Sequence, residues 1–363
     1  MYKENSAFLR LHRKFSEIQQ KGDVAMNKKN SLRVLSVILA VIMIFTMIPV
    51  TVFAADGDCT HPSITEDNKC TECNADIVAK IVEYNQTEAT YFSDFDEALA
   101  IASSQDHQVC TLSLLTDLDE PIELTQGNFF FDANGHTVYG TITLRKNAIL
   151  RITDGKGIFR GTIYGYDYSY CYVSGGVFDS IVMNGHANFI AQYGITCYGT
   201  VQANESSAVD LRGDFFGKLV SNTGYDGFLL RTGNYYCDII ADGVDMYGDP
   251  KGFKLLYGDY GKGCTITISD GARLEASGYI NMDEYVEINV YDNNNSGTTF
   301  YINVATIDCP VNIHGGTLEA DYQAAKFNNT VTIADGASAE LSGGSFAKLT
   351  IEGDMTCADA LVK

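Results

Sequence analysis

Four residues near the start of the chain have the types and spacing of a metal site. Cys59, His61, Cys70 and Cys73 follow the pattern C-x-H-x8-C-x2-C. A C-x2-C pair brings two thiolates to one tight turn, and a second close pair of donors completes a tetrahedral shell for zinc. The competing use of cysteine in an exported chain is disulfide bonding, with His61 a surface side chain. Three cysteines cannot all pair among themselves, so structural zinc is the expected cofactor, and no other is expected.

A second group is aromatic. Tyr164, Tyr166, Tyr168, Tyr170 and Tyr172 recur at every second position, alternating with Gly165, Asp167, Ser169 and Cys171. On an extended chain this period puts all five rings on one face. A tyrosine ring stacks on a sugar face while its hydroxyl bonds the sugar hydroxyls, so the run is the candidate ligand-binding surface for a glycan or a host extracellular protein. The opposing reading is that the chain turns within the run and sends some rings inward as packing.

Acid and base chemistry has less support. Asn134-Gly135-His136 and Asn184-Gly185-His186 place each histidine after an Asn-Gly turn, where a structural role is expected. Sugar-cleaving sites need clustered carboxylates, or a calcium-assisted base above a sugar ring. The chain has no adjacent Asp-Asp pair, no Asn-Thr-Asp triplet and no Gly-His-Gly triplet. Asp242, Asp245, Asp249 and Asp259 are the best local candidates for a carboxylate line along one face, and solvated turns are the ordinary use of such residues. Asp292-Asn293-Asn294-Asn295 lacks a full calcium loop and reads as an Asn-rich turn. No catalytic residue is expected.

The elements that must position these groups announce themselves as a repeat. Gly157, Gly176, Gly194, Gly213, Gly233 and Gly252 recur at intervals of 18 to 20 residues. Phe159, Phe178, Thr196, Phe215 and Tyr235 stand two positions after the first five, and Ile163, Ile181, Val201, Leu219 and Ile239 follow. Such a period marks a stacked array whose single units cannot bury their own apolar face. Helical spacing is missing; short β-rich runs broken by Gly, Asn and Asp take its place, and Thr265–Ala272 recurs as Thr330–Ala337. The fold expected is an all-β right-handed parallel β-helix with coils of about 19 residues, equivalent residues stacking about 4.8 Å apart. The glycines read as turn positions where a side chain would obstruct the next coil. The ladder loosens after Gly252, predicting longer, irregular loops there.

Lys28, Lys29 and Arg33 precede an uncharged run from Val34 to Ala55, with small residues suited to cleavage after Ala54. Residues 1–54 are therefore expected to be a signal peptide, with Met26 an alternative start; an uncleaved anchor is the other reading. Beyond it the chain carries 17 basic and 43 acidic residues, a net charge of about −26. Such a surface repels phosphate backbones and excludes nucleic acid as a natural partner. The cleaved chain is expected to be secreted, possessing no membrane segment. The chain ends at Lys363 without a sorting motif, which reads as release or as a fragment of a longer protein.

The domain plan is residues 55–78 as the Cys/His knob, 79–128 as a strand-helix-strand cap, and 129–363 as the β-helix. In the cap, Ser93 with Asp96 reads as the N-cap box of a helix whose apolar face is Phe95, Ala98, Leu99 and Ala102. Strands are expected on either side, one through Ile81 and Val82, the other from Cys110 to Leu115. A helix over the first coil would shield unpaired strand edges. Seven further cysteines, Cys110, Cys171, Cys197, Cys237, Cys264, Cys309 and Cys357, read as small buried hydrophobes, Cys197 and Cys237 being two coils apart and too distant to bridge.

Tyr91–Ala98, Thr111–Leu115 and Phe131–Val138, with Leu150–Gly157 as the following coil, resemble the opening segment of secreted Firmicutes surface proteins that carry a right-handed, pectate-lyase-like β-helix. The resemblance covers residues 80 to 160, and the remainder only through its repeats. It implies the architecture and a secreted, surface-associated location. It does not imply catalysis, because most members resemble adhesins or structural modules. The function expected is a non-catalytic binding or adhesion module; the alternative is a polysaccharide lyase or glycoside hydrolase with an atypical carboxylate site.

Overall fold

The β-branched residues that follow the glycines become one buried column. In a computed structural model, which describes residues 59–362 apart from 105–108, 154, 245–248, 257, 261–263, 278–279, 283–285, 304, 321–324 and 358–360, Ile163 pairs with Ile181, Ile181 with Val201, Val201 with Leu219, and Leu219 with Ile239. The same column extends back to Ile122 and forward to Leu349, through Ile266, Ile288, Val311 and Val331. The pairings are parallel and in register, so the chain is an all-β parallel solenoid of about 11 turns of about 20 residues. The expected signal peptide, residues 1–54, lies outside the described residues, and among the described ones no helix is long and apolar enough to cross a membrane.

Inside the coils, like residues stack on like. Phe159 and Phe178 lie parallel at 4.8 Å, Phe215 and Tyr235 at 5.2 Å, and Phe327 and Phe346 at 4.6 Å. Such contacts add about 0.5–1.5 kcal/mol each beyond area burial. Thr196 does not occupy this file. Cys197 does, pairing with Phe178 on one side and Phe215 on the other. The cause is a slip in the glycine ladder: Gly194 stands outside it, and Ile195 faces Gly213. Gly213 has φ +135°, and a Cβ there would sit 2.0 Å from the Ile195 carbonyl, whereas nothing lies nearer than 3.9 Å at Gly194. Gly252 also leaves the ladder, since the register of Leu229 with Lys254 sets it beside Gly227 while Tyr260 takes the place on Gly233.

The expected loosening is present but begins earlier. The coil from Ile239 to Ile266 is the long one, and its detour starts at Gly243, where Val244 bridges antiparallel to Pro250. The coils from Ile266 to Ile288 and on to Val311 are also longer than those before Ile239.

The solenoid opens with β1 (Ala79–Glu83), β2 (Ala89–Phe92), α1 (Phe95–Ala102) and β3 (Cys110–Leu114). β1 lies antiparallel between β2 and β3, and β3 pairs parallel with the first coil strand, Asn128–Asp132. α1 buries Phe95, Ala98, Leu99 and Ala102, the face read from the sequence. Its N-cap is Asp94 rather than Ser93: the Asp94 carboxylate accepts from the Glu97 N–H at 3.2 Å. Ser93 is used elsewhere.

Candidate functional site

Cys59, His61, Cys70 and Cys73 come together, with their ligand atoms all within 4.8 Å of one another. The turn that gathers them is built from backbone. The Cys70 carbonyl accepts from the Asn74 N–H at 3.0 Å, and the Cys70 N–H donates to the Ala75 carbonyl at 2.9 Å. His61, Asn68 and Asn74 take positive φ values of 45°, 55° and 61° to fold so short a segment. Donor atoms on a tetrahedral zinc stand about 3.8 Å apart, so three sulfurs and one nitrogen in this space fit a structural zinc shell.

The chemistry of the donors agrees. The Cys70 thiol is held down from 9.0 to about 6 by the Cys73 N–H, against its burial, with further help from His61 and the Glu72 N–H. A thiolate at neutral pH is the form that binds metal. His61 is nearly buried; its Nδ1 faces Cys73 Sγ at 3.4 Å and its Nε2 meets Ser93 Oγ at 3.3 Å. Ser93 therefore fixes the ring, which leaves Nδ1 as the nitrogen turned toward the thiols. The four donors were legible in the sequence; Ser93 was misread as a helix cap, because only the folded chain brings it to His61.

The five tyrosines do not make one platform. Tyr164 ends the strand Ile158–Gly165, the chain turns over Tyr166–Ser169, and Tyr170 and Tyr172 lie on the strand Tyr170–Val173. Asp167 makes the corner at φ +59°, and the Tyr166 N–H is met by Ser169 Oγ at 3.2 Å. No ring turns inward, because Gly165, Ser169, Cys171 and Val173 take the buried positions. The result is three separate ring pairs. Tyr164 and Tyr166 stack at 6.2 Å, Tyr168 stacks on His186 at 4.7 Å, and Tyr170 and Tyr172 stack at 6.1 Å.

Arginines from the preceding coil flank these rings. Arg145 lies 4.4 Å from the Tyr166 centroid, and Arg151 lies 4.9 Å from that of Tyr172 and 5.9 Å from that of Phe130. Phe130, Arg151 and Tyr172 hold the same outward position on three successive coils. Beside them runs a polar column of Thr153, Ser174 and Gln192, and the six residues line a cleft of about 340 Å3. Arg151 and Phe130 were not singled out from the sequence, since a solitary Arg reads as solvated surface until the register is known. Tyr198, Phe216 and Tyr236 form another unforeseen file, exposed and stacked at 5.2 and 4.9 Å.

Of the carboxylate group read from the sequence, Asp242 and Asp249 are the two whose side chains are described. Asp242 accepts from Ser269 Oγ at 2.7 Å, while Asp245 and the Asp259 side chain lie outside the described residues. Asp249 instead lines a cleft of about 420 Å3 with Glu205 and Asp226. There Glu205 accepts from the Gly185 N–H at 2.7 Å, and Asp226 from Lys254 Nζ at 3.2 Å. His136 lies 3.5 Å from Asp117, and His186 serves as the stacking partner of Tyr168. Asp292 turns back on its own loop. Burial opposes its charge, but the N–H groups of Ser296, Gly297 and Thr298 and the Ser296 hydroxyl hold its carboxyl below the usual range.

The interior thiols are buried, and desolvation pushes Cys110 up to about 11 and Cys171, Cys197, Cys237 and Cys264 up to about 12. They are inert packing groups at neutral pH. Cys357 lies at the pairing partner of Leu341, and nothing further is described of its side chain. No family model, no curated protein and no solved structure matches the chain.

Proposed function

We propose that the chain is a secreted, non-catalytic β-helix module that binds a glycan through the outer face of its early coils, with a zinc-held knob at the head of the solenoid. The observation that carries this reading is that the outward rings of Tyr166 and Tyr172 are each covered by an arginine of the preceding coil, Arg145 and Arg151, and that Arg151 and Tyr172 line an open cleft. Aromatic faces, a cation and a row of hydroxyl and amide groups are the components of sugar recognition. The zinc role is structural, since three thiolates and an imidazole close the shell and leave no position for substrate.

A glycan and host-protein array probed with the purified secreted chain tests the reading. Selective retention on sugars, lost on substituting Tyr168 and Tyr172 by Ala, supports it; unchanged retention in that variant contradicts it. The competing reading, a polysaccharide lyase or hydrolase, would draw on Glu205, Asp226 and Asp249 around the second cleft. Release of reducing ends from polysaccharide, abolished in Glu205→Gln, would establish it instead.

A further inference from the structure

We infer that the Arg151 cleft is a subsite for the carboxylate of an acidic sugar, an inference that rests on the glycan-binding reading and names its ligand class. Arg145, Arg160 and Arg231 are each committed to a carboxylate, Glu123, Asp179 and Asp210 respectively, and Arg212 to the Gln192 carbonyl. Arg151 differs. Among the described residues no carboxylate lies within ion-pair distance of it, and its contacts are the Phe130 and Tyr172 rings. In a chain with 46 acidic and 25 basic residues, an arginine kept clear of acid partners is the departure to explain.

The register supplies the explanation. Phe130 and Tyr172 stand on the coils before and after, so the guanidinium is gripped between two rings and loses little freedom on meeting a ligand. The nearest acids along these columns are already occupied: Asp132 accepts from the Asn134 N–H at 2.8 Å, and Asp210 from Arg231 at 2.6 Å. A fork of N–H donors that no carboxylate among the described residues fills matches a carboxylate in two-pronged fashion. Thr153, Ser174 and Gln192, one outward position along, supply hydroxyl and amide groups where the ring hydroxyls of the same sugar would lie. A volume of about 340 Å3 is enough for a short segment of a glycan, not for a folded partner.

Two kinds of sugar carry such a carboxylate, the hexuronates and the nonulosonates, and calorimetric titration distinguishes them. The probes are a glucuronate-containing tetrasaccharide, 3′-sialyllactose, and lactose as the neutral control. The protein is the full secreted chain, as wild type, Arg151→Gln, Arg151→Lys and Arg160→Gln, with circular dichroism checking each fold. Binding of one acidic probe is expected, weakened roughly tenfold to a hundredfold in Arg151→Gln. Arg151→Lys should recover part of the loss, and Arg160→Gln should behave as wild type. Equal affinity for lactose, or an acidic probe held equally by Arg151→Gln, overturns the carboxylate assignment while leaving glycan binding intact. Failure of all three probes also overturns it; the array then shows whether neutral glycans bind elsewhere on the tyrosine face.

Discussion

Between Cys59 and Val78 the buried residues are His61, Cys70 and Ile77, whereas the single coil from Ile163 to Ile181 buries the apolar side chains of Cys171, Val173 and Phe178, together with Ser169, Gly165, Gly175 and Gly176, besides its two ends. The knob has little apolar surface with which to order itself, so on the zinc proposal its donors would do the work of a core and metal binding and local folding would be one event. A coil has the opposite economy. It gains order only from the coil beneath it, but every coil has such a neighbour. Ligand-bearing residues on the outer face can therefore vary without disturbing the inner columns, which is how a solenoid carries a binding surface at little structural cost.

The sharpest way to break this comparison is to remove the metal. Cys70→Ser, or chelation, should abolish stoichiometric zinc and expose residues 59–78 to protease while the coils keep their melting temperature; a matching loss in the coils would show the two regions to be one unit. The pH dependence has a definite sign. With the Cys70 thiol lowered from 9.0 to about 6, its thiolate contribution is complete above about 9 and is lost as pH falls through about 6. Zinc release monitored by a colorimetric chelator should rise on the acid side only.

Next in size is a cut inside the coils. Phe178→Ala removes the ring stacked on Phe159 and should cost about 3–5 kcal/mol in denaturant unfolding with zinc content unchanged. Ser93→Ala tests the link between the regions. Loss of the hydroxyl that holds His61 Nε2 should weaken zinc roughly tenfold to a hundredfold and leave α1 intact, because Asp94 is the cap. The smallest effect is expected at Asp292. Its lowered carboxyl contributes stability above the ordinary carboxylate range that disappears as pH falls through the folded value. Asp292→Asn should flatten the acid limb of a pH-stability curve, and an unchanged limb would contradict the hydrogen bonds as its cause.

The parts legible in the sequence are those where neighbouring coils repeat a residue type. Ile163, Ile181, Val201, Leu219 and Ile239 were visible as a column because β-branched residues or Leu recur there without a gap. The glycine ladder was less faithful: Ile195, not Gly194, stands in line with Gly213, so counting from Gly194 put Thr196 where Cys197 stands. The tyrosine run kept its outward direction but lost its single face to the corner at Asp167, which no periodicity announces. Arg151 was invisible for a third reason: its distinction is the absence of a carboxylate from its own outward column, between Phe130 and Tyr172, a property of register rather than of local sequence.

The central claim is that the outer tyrosine and arginine band binds sugar without cleaving it. The most direct measurement incubates the purified chain with its best glycan from the array and follows bound ligand and reducing ends together. Saturable binding that falls on substituting Tyr168 and Tyr172 by Ala, with no new reducing ends, is the result expected. Release of reducing ends at a rate that those substitutions leave untouched would contradict it.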